Sequence, residues 1–336
     1  MDTKNKLLLI SKISLWVIAI TAIVISIRAI HIAKQRPVTY DQIMIQSHDI
    51  DFAPDITFAG EIVPMEMFNI RERYERELLS NCYFHSNTML LLKRSTRWFP
   101  VIEPILKQYN IPDDFKYICL VESGLTNAIS PAGAVGFWQF MPATAKEMGL
   151  TINKEVDMRY NVEAETIAAC KYFLKAYKRF RNWTLAAASF NIGSTRLSNH
   201  IKEQKTNSYY DLLMAEETER YIFRILALKT IFENPEKYGI FVSEELCYKP
   251  FKYKTVTVTK DVDSWADFAK EHGITYKLLK VFNPWLRSKS LKVHKGEVYE
   301  IKIPTPPFNL TYDDYEDMLG KHNIEKYRDS INDTII

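Results

Sequence analysis

The sequence predicts a mostly α-helical protein: a helical body over residues 64–245, a small βααβ module over residues 251–305, and an N-terminal membrane-anchor helix within residues 1–32. Three observations predict it. Apolar residues recur at helical spacing from Phe68 to Phe232, and no alternating strand pattern appears before residue 250. After Asn234-Pro235 two β-branched, alternating runs flank two short helical ones. Leu7 to Ile27 is apolar almost throughout.

A chain of 336 residues is comfortable for two domains. Its net charge of +3 is too small and too dispersed for a nucleic-acid binder, which needs a concentrated basic stripe. The densest basic stretch, Lys171 to Arg181, is interleaved with Tyr172, Phe173, Tyr177 and Phe180. It reads as an amphipathic helix with a solvated basic face, which would also attract an anionic polymer. The four cysteines, Cys82, Cys119, Cys170 and Cys247, form no CxxC pair, and Cys82 with His85 lacks the second pair a zinc site needs. Cys119 and Cys170 sit in apolar helical patterns and read as core residues, although an oxidising compartment would leave a disulfide open.

At the N-terminus, Lys4, Lys6 and Lys12 precede or punctuate the apolar run and Arg28 closes it. The run reaches the roughly 20 residues of a membrane span if Lys12 snorkels. No small-x-small cleavage site follows, which favours an uncleaved anchor over a signal peptide. Residues 33–63, punctuated by Pro37 and Pro54, read as a linker becoming an ordered lead-in. Helical patterns then follow over Phe68 to Leu79 and Thr88 to Leu106, the latter expected to break at Pro100. Pro112 opens a short helix with Asp113 and Asp114 in its first turn, where acids suit the helix dipole. Glu163 to Phe180, Thr184 to Phe190 and Glu216 to Phe232 complete the body. In the second module Thr255 to Thr259 and Val298 to Ile303 read as strands. Ser264 is an N-cap for the first helix, Gly273 its stop, and Tyr276 to Phe282 the second helix. The tail, residues 306–336, is polar and acidic.

The chemistry concentrates at Glu122. Phe115, Ile118, Cys119 and Glu122 are spaced i, i+3, i+4, i+7 and share one helix face, so the carboxyl lies on the stripe that the others bury. Gly124 can end the helix in a left-handed turn. Desolvation raises a carboxyl pKa, and an acid that keeps its proton near neutrality can protonate a glycosidic oxygen. Ser123, Asn127 and Ser130 supply hydrogen-bonding groups close by, and Pro131 to Gly136 is a small-residue stretch that lets backbone approach a ligand. Phe137, Trp138, Gln139, Phe140 and Met141 add aromatic faces and an amide, the mixture a glycan groove uses. Core packing accounts equally well for some of these aromatics.

The run from Glu122-Ser123 through Asn127 and Ser130 to Ala145 resembles the signature of the soluble-lytic-transglycosylase domain, of the goose-type-lysozyme-like group. Downstream, Asp157, Arg159 and Asn161, then Ala186 to Gly193, then Glu217 to Tyr221 resemble further motifs of that family. Phe58 to Pro64 is similar to the lead-in of the membrane-bound lytic murein transglycosylase D type. One position departs: the family's Tyr-Asn pair reads Phe190-Asn191. Residues 251–305 resemble LysM, a βααβ module that binds N-acetylglucosamine-containing glycans, with the usual first-loop Gly-Asp-Thr replaced by Asp261 to Ser264.

The resemblance implies a lysozyme-like helical fold and a peptidoglycan-cleaving lyase that needs no cofactor. Glu122 would be the single general acid and base. Ser123, Asn127, Gln139, Phe140, Met141, Asn191 and Tyr221 would orient it or hold the substrate. The implied partners are peptidoglycan glycan strands, a membrane reached through the N-terminal segment, and other cell-wall proteins, at the periplasmic face of a bacterial envelope. Two alternatives stay open: a lysozyme-type hydrolase on the same fold, and a wall-binding scaffold that has lost turnover.

Overall fold

The computed structural model describes residues 55–305, together with residues 16, 20–23 and 26. The chain divides into two compact units, Met1–Asp49 and Ile50–Ile336. Apart from those isolated helical positions, the anchor expected over residues 1–32 lies outside the described residues, as does the tail. Among the described residues no helix is long and apolar enough to cross a membrane.

The second unit opens on two short strands, β1 (Thr57–Phe58) and β2 (Glu61–Ile62), paired antiparallel across Ala59 and Gly60. The sequence predicts no strand here, because two-residue strands are too short to show alternation. The lead-in belongs to the body: Phe58 and Val63 are buried in the main core. Two carboxylates fasten it. Asp114 Oδ2 accepts from the Ala59 amide at 2.7 Å and from Lys229 Nζ at 2.7 Å. Glu61 accepts from the backbone amides of Trp183 and Thr184 at 2.6 and 2.8 Å, and from the Thr184 hydroxyl at 2.6 Å. An acid from the lead-in thus satisfies open N–H groups at the start of a distant helix.

The body's helices are α1 (Phe68–Tyr83), α2 (His85–Gln108), α3 (Lys116–Ser123), α4 (Pro142–Glu147), α5 (Val162–Phe180), α6 (Trp183–Ile192), α7 (Ser194–Gln204) and α8 (Glu216–Glu233). The break expected at Pro100 does not occur: α2 runs through both Pro100 and Pro104. Each proline forgoes one backbone bond, at a cost of about 3 kcal/mol. Burial of Leu91, Ile102 and Leu106 on one face offsets that loss. Helix α6 is the central element, with Leu185, Ala186, Ala187 and Ala188 all buried, and α5, α7 and α8 pack against it. Its alanines let those neighbours approach closely. Asn182 caps it, Oδ1 accepting from the Leu185 amide at 2.7 Å.

The small module pairs β3 (Tyr253–Val258) antiparallel with β4 (Tyr299–Pro304), in register from Tyr253↔Pro304 to Val258↔Tyr299. Between them lie α9 (Trp265–Glu271), capped by Ser264, and α10 (Tyr276–Phe282), capped by Thr275. Trp265, Leu279 and Ile301 form its core. Buried Asn283 ties α10 to β4, donating to the carbonyls of Leu279 (3.0 Å) and Lys302 (2.8 Å) and accepting from the Lys302 amide (2.8 Å). The module packs directly on the body. Val156 bridges Leu286, the Asp157 amide donates to the Trp285 carbonyl at 2.9 Å, and the Arg287 amide donates to the Glu155 carbonyl at 2.7 Å. Val135, Val156 and Tyr160 of the body share the module's hydrophobic cluster.

Replacing Glu61 by Ala removes three hydrogen bonds at the start of α6. We expect a stability loss of about 1–2 kcal/mol, read from the urea midpoint. An unchanged midpoint would mean that the lead-in is not fastened there in solution.

Candidate active site

Helix α3 ends where Gly124 adopts the left-handed conformation (φ 60°, ψ 34°), its amide donating to the Leu120 carbonyl at 3.0 Å. Arg94 Nη1 donates to the Gly124 carbonyl at 3.1 Å and holds the turn from outside. Glu122 therefore stands one residue from the end of a short helix in which Tyr117 to Leu120 are buried. Tyr221, buried on α8, donates its phenol to Glu122 Oε1 at 2.6 Å.

The environment shifts Glu122 to about 7, well above the usual carboxyl range. Desolvation is the largest cause and wins over the Tyr221 hydrogen bond, which favours the charged form. The exposed carboxylate of Glu217 adds to the rise, and Arg224 opposes it. Burial also pushes the Tyr221 phenol well above its ordinary range, so Tyr221 remains a donor. The arrangement is an acid that holds a transferable proton near neutrality, beside a fixed donor that stabilises the anion left behind.

The glycine-containing loop lies next to it. The Ser130 amide donates to the Ala134 carbonyl, the Gly136 amide to the Ala128 carbonyl, and Val135 and Phe140 exchange backbone bonds. At Gly136 (φ 93°) a Cβ would sit 1.7 Å from Glu165 Oε1 and 2.0 Å from the Arg159 carbonyl oxygen, so only glycine fits. The loop is held from behind. Glu165 Oε2 accepts from the Phe137 amide at 2.9 Å, and the Trp138 indole donates to Thr166 Oγ1 at 3.0 Å. Arg159 Nη1 donates to the carbonyls of Gly133 and Phe140, both at 3.1 Å, while Asp157 fixes its other nitrogens.

The expected site residues divide into three groups. Tyr221 alone reaches Glu122 through a hydrogen bond. Ser123, Gln139, Phe140 and Asn191 serve the frame. Ser123 Oγ donates to the Phe137 carbonyl at 2.9 Å and the Cys119 carbonyl at 3.1 Å. The Gln139 amide donates to the carbonyls of Gly136 (2.7 Å) and Ala128 (3.0 Å). Phe140 is buried against Phe190, with centroids 5.4 Å apart. Asn191 Oδ1 accepts from Thr218 Oγ1 at 3.0 Å, joining α6 to α8 one turn before Tyr221. Asn127 and Met141 form the third group, exposed to solvent.

Phe190 is packed among Tyr172, Phe173 and Phe140 as a core aromatic. The hydroxyl missing there leaves the Tyr221 contact with Glu122 intact. Sequence reasoning missed Glu165, whose role depends on a loop 28 residues away. Its one legible signal was an acid on the apolar face of a helix.

Residues 100–213 match the transglycosylase SLT domain, and residues 254–307 match the soluble lytic transglycosylase C-terminal LysM-like domain. The membrane-bound lytic murein transglycosylase D of Escherichia coli (strain K12) is 28% identical over 243 residues, 70% of this chain and 52% of the relative. A putative tributyltin chloride resistance protein of Alteromonas sp. (strain M-1) is 26% identical over 163 residues, 47% of this chain and 79% of the relative. The solved 70 kDa soluble lytic transglycosylase of Escherichia coli is 16% identical, with a TM-score of 0.38 over 66% of this chain and 45% of that one. The chain spans about half the length of the transglycosylase D relative.

Because the folded state raises the Glu122 pKa above its ordinary 4.5, Glu122 contributes stability fully below about pH 4.5 and loses it as pH rises through about 7. Glu122→Gln cannot titrate. We expect its stability relative to wild type to improve by on the order of 2 kcal/mol between pH 4.5 and pH 8, measured by urea unfolding at both. A pH-independent difference would show that the carboxyl is not desolvated.

Proposed function

We propose that this chain, which carries a transglycosylase SLT domain and a LysM-like domain and is homologous to the lytic murein transglycosylase, is a peptidoglycan lytic transglycosylase with Glu122 as its single acid and base. The observation that carries the reading is Glu122 itself: a desolvated carboxyl at about 7, hydrogen-bonded by a buried tyrosine beside a loop with room only for glycine. Protonated Glu122 gives its proton to the oxygen linking N-acetylmuramic acid to N-acetylglucosamine. The C1–O bond breaks and positive charge develops at the muramoyl C1. The muramoyl 6-hydroxyl oxygen attacks C1 and its proton returns to Glu122. The products are an N-acetylglucosamine end and a 1,6-anhydro-muramoyl end, and no water is consumed. Tyr221 stabilises the carboxylate between the two transfers.

Two-carboxylate glycosidases place their second acid against the substrate. Glu165, the other carboxyl beside the loop, is wholly buried and holds the Phe137 amide, which takes it out of reach of a sugar. The alternative reading is a lysozyme-type hydrolase on the same fold, in which water rather than the 6-hydroxyl attacks C1. We place the activity in the bacterial envelope, with residues 1–32 as the membrane anchor. The apolar run Leu7 to Ile27 and the membrane-bound character of the named relative support that placement.

The deciding experiment is mass spectrometry of the products after the full chain is incubated with purified peptidoglycan. Anhydro-muramoyl ends from wild type and none from Glu122→Gln are expected. Reducing muramoyl ends would identify the hydrolase, and full activity in Glu122→Gln would overturn the assignment of the acid. Activity is expected to fall as pH rises through about 7, as Glu122 loses its proton. Tyr221→Phe is expected to lower kcat by about 10- to 100-fold. It removes the contact that holds the Glu122 pKa down, so the alkaline limb of its pH profile moves to higher pH. An unchanged profile would exclude a role for Tyr221 at the carboxyl.

A further inference from the structure

A cleft of about 370 Å³ opens where the small module meets the body, and Glu122 does not line it. The body contributes Trp98, Asn127 and Glu163; the module contributes Tyr253, Phe282 and Lys302. Its walls are mainly apolar, built from aromatic rings, prolines and valines. Trp98 meets Phe251 edge-on at 5.8 Å, Phe251 meets Phe282 at 4.8 Å, and Tyr253 stands at the rim, 39% exposed. The cations here are already engaged. Lys302 pairs with Glu163 Oε1 and lies 4.8 Å from the Tyr253 ring centroid. Arg97 lies over the Phe251 ring at 4.2 Å and donates Nε to the Lys249 carbonyl. Little positive charge is left for a phosphate or carboxylate ligand.

Polar groups without a hydrogen-bond partner belong to residues lining the cleft, the buried Trp285 indole N–H among them. Glu163 Oε2 is buried and accepts no hydrogen bond. The Asn127 side chain is exposed at the edge of the cleft and makes none of the hydrogen bonds found in the chain. A buried carboxylate oxygen demands a donor, which a purely apolar ligand lacks. Aromatic rings in an apolar wall, a carboxyl with one unpaired oxygen, and an amide that both donates and accepts together match a pyranose bearing an acetamido group. The volume, at the small end of ligand sites (about 300–1,000 Å³), suits one or two rings.

We propose that this inter-module cleft is a second glycan-binding site, taking an N-acetylhexosamine unit of the strand with its acetamido group on Glu163 and Asn127 and its ring against Tyr253. The inference rests on the reading of the chain as glycan-acting. It uses a surface that neither domain possesses alone, since the two halves of the lining come from opposite sides of the junction. Phe137 links it to the acid: its ring lines the cleft, while its carbonyl accepts the hydroxyl of Ser123, the neighbour of Glu122. A strand held in the cleft is thereby anchored on the loop that frames Glu122.

The test is a titration of the ¹⁵N-labelled full chain with the tetramer of N-acetylglucosamine. The Trp98 indole resonance is followed, assigned through Trp98→Phe. A saturable shift is expected, its midpoint moving about tenfold higher in Tyr253→Ala and in Glu163→Gln and staying put in Tyr253→Phe. The tetramer of glucose, which lacks the acetamido group, is expected to bind about tenfold more weakly. The other indole resonances report whether each variant is folded. No shift at Trp98, or equal midpoints for wild type, Tyr253→Ala and Glu163→Gln, would overturn the proposal. Product analysis of the same protein preparations incubated with purified peptidoglycan separates the two readings. Anhydro products without a Trp98 shift would sink the cleft alone, and a variant-sensitive shift without products would sink the enzymatic reading and leave the cleft standing.

Discussion

The loop beside Glu122 depends on one buried carboxyl, Glu165. It fills the space in which a Cβ at Gly136 would sit, and it holds the Phe137 amide from behind. Burial drives its pKa well upward, against the backbone hydrogen bonds of Phe137 and Trp138. A neutral, hydrogen-bonded carboxyl is the form a fully buried site tolerates. Arg159 completes the clamp by gripping the loop at Gly133 and Phe140. With both ends fixed, Ser123 can bond the Phe137 carbonyl and lock the end of α3, and that bond fixes where Glu122 stands.

The same clamp receives the second module. Asp157, which orients Arg159, gives its backbone amide to the Trp285 carbonyl. Glu155 accepts from the Arg287 and Lys292 amides, and Val156 bridges Leu286. Three consecutive residues thus hold the LysM-like module on the structure that positions the loop. The Arg287 guanidinium over the Tyr160 ring, 4.2 Å from its centroid, reinforces the junction. This continuity, rather than a flexible tether, is what creates a cleft between the modules.

At Glu122 the balance of forces has a clear order. Desolvation outweighs the Tyr221 phenol, and the charges of Glu217 and Arg224 act in opposite directions as smaller corrections. A carboxyl left fully to water would be ionised at neutral pH, and one buried without a donor would resist ionisation altogether. Tyr221 keeps both protonation states accessible, as the proposed acid and base role of Glu122 requires. Phe190 in place of a tyrosine leaves this pair untouched and contributes instead to an aromatic cluster with Phe173 and Tyr172.

Local signals carried most of the secondary structure. The caps at Ser264 and Thr275, the stop at Gly124 and the alternation of β3 and β4 involve neighbours within a few residues, so they are legible in order along the chain. Glu122 was legible for the same reason, since its place on a buried face follows from i, i+3, i+4, i+7 spacing. Helix α2 was misread at Pro100 because the local penalty is visible in sequence and the packing that offsets it is not. The lead-in strands, the cap that Glu61 supplies 122 residues away and the contact of Tyr221 with Glu122 across 99 residues are set by tertiary packing. The division of labour among Ser123, Gln139, Phe140 and Asn191 belongs to that level as well. Residue type shows that a hydroxyl, an amide or a ring is present. Whether it faces a ligand or the frame is decided by which backbone groups the fold leaves open, and those are known only once distant segments meet.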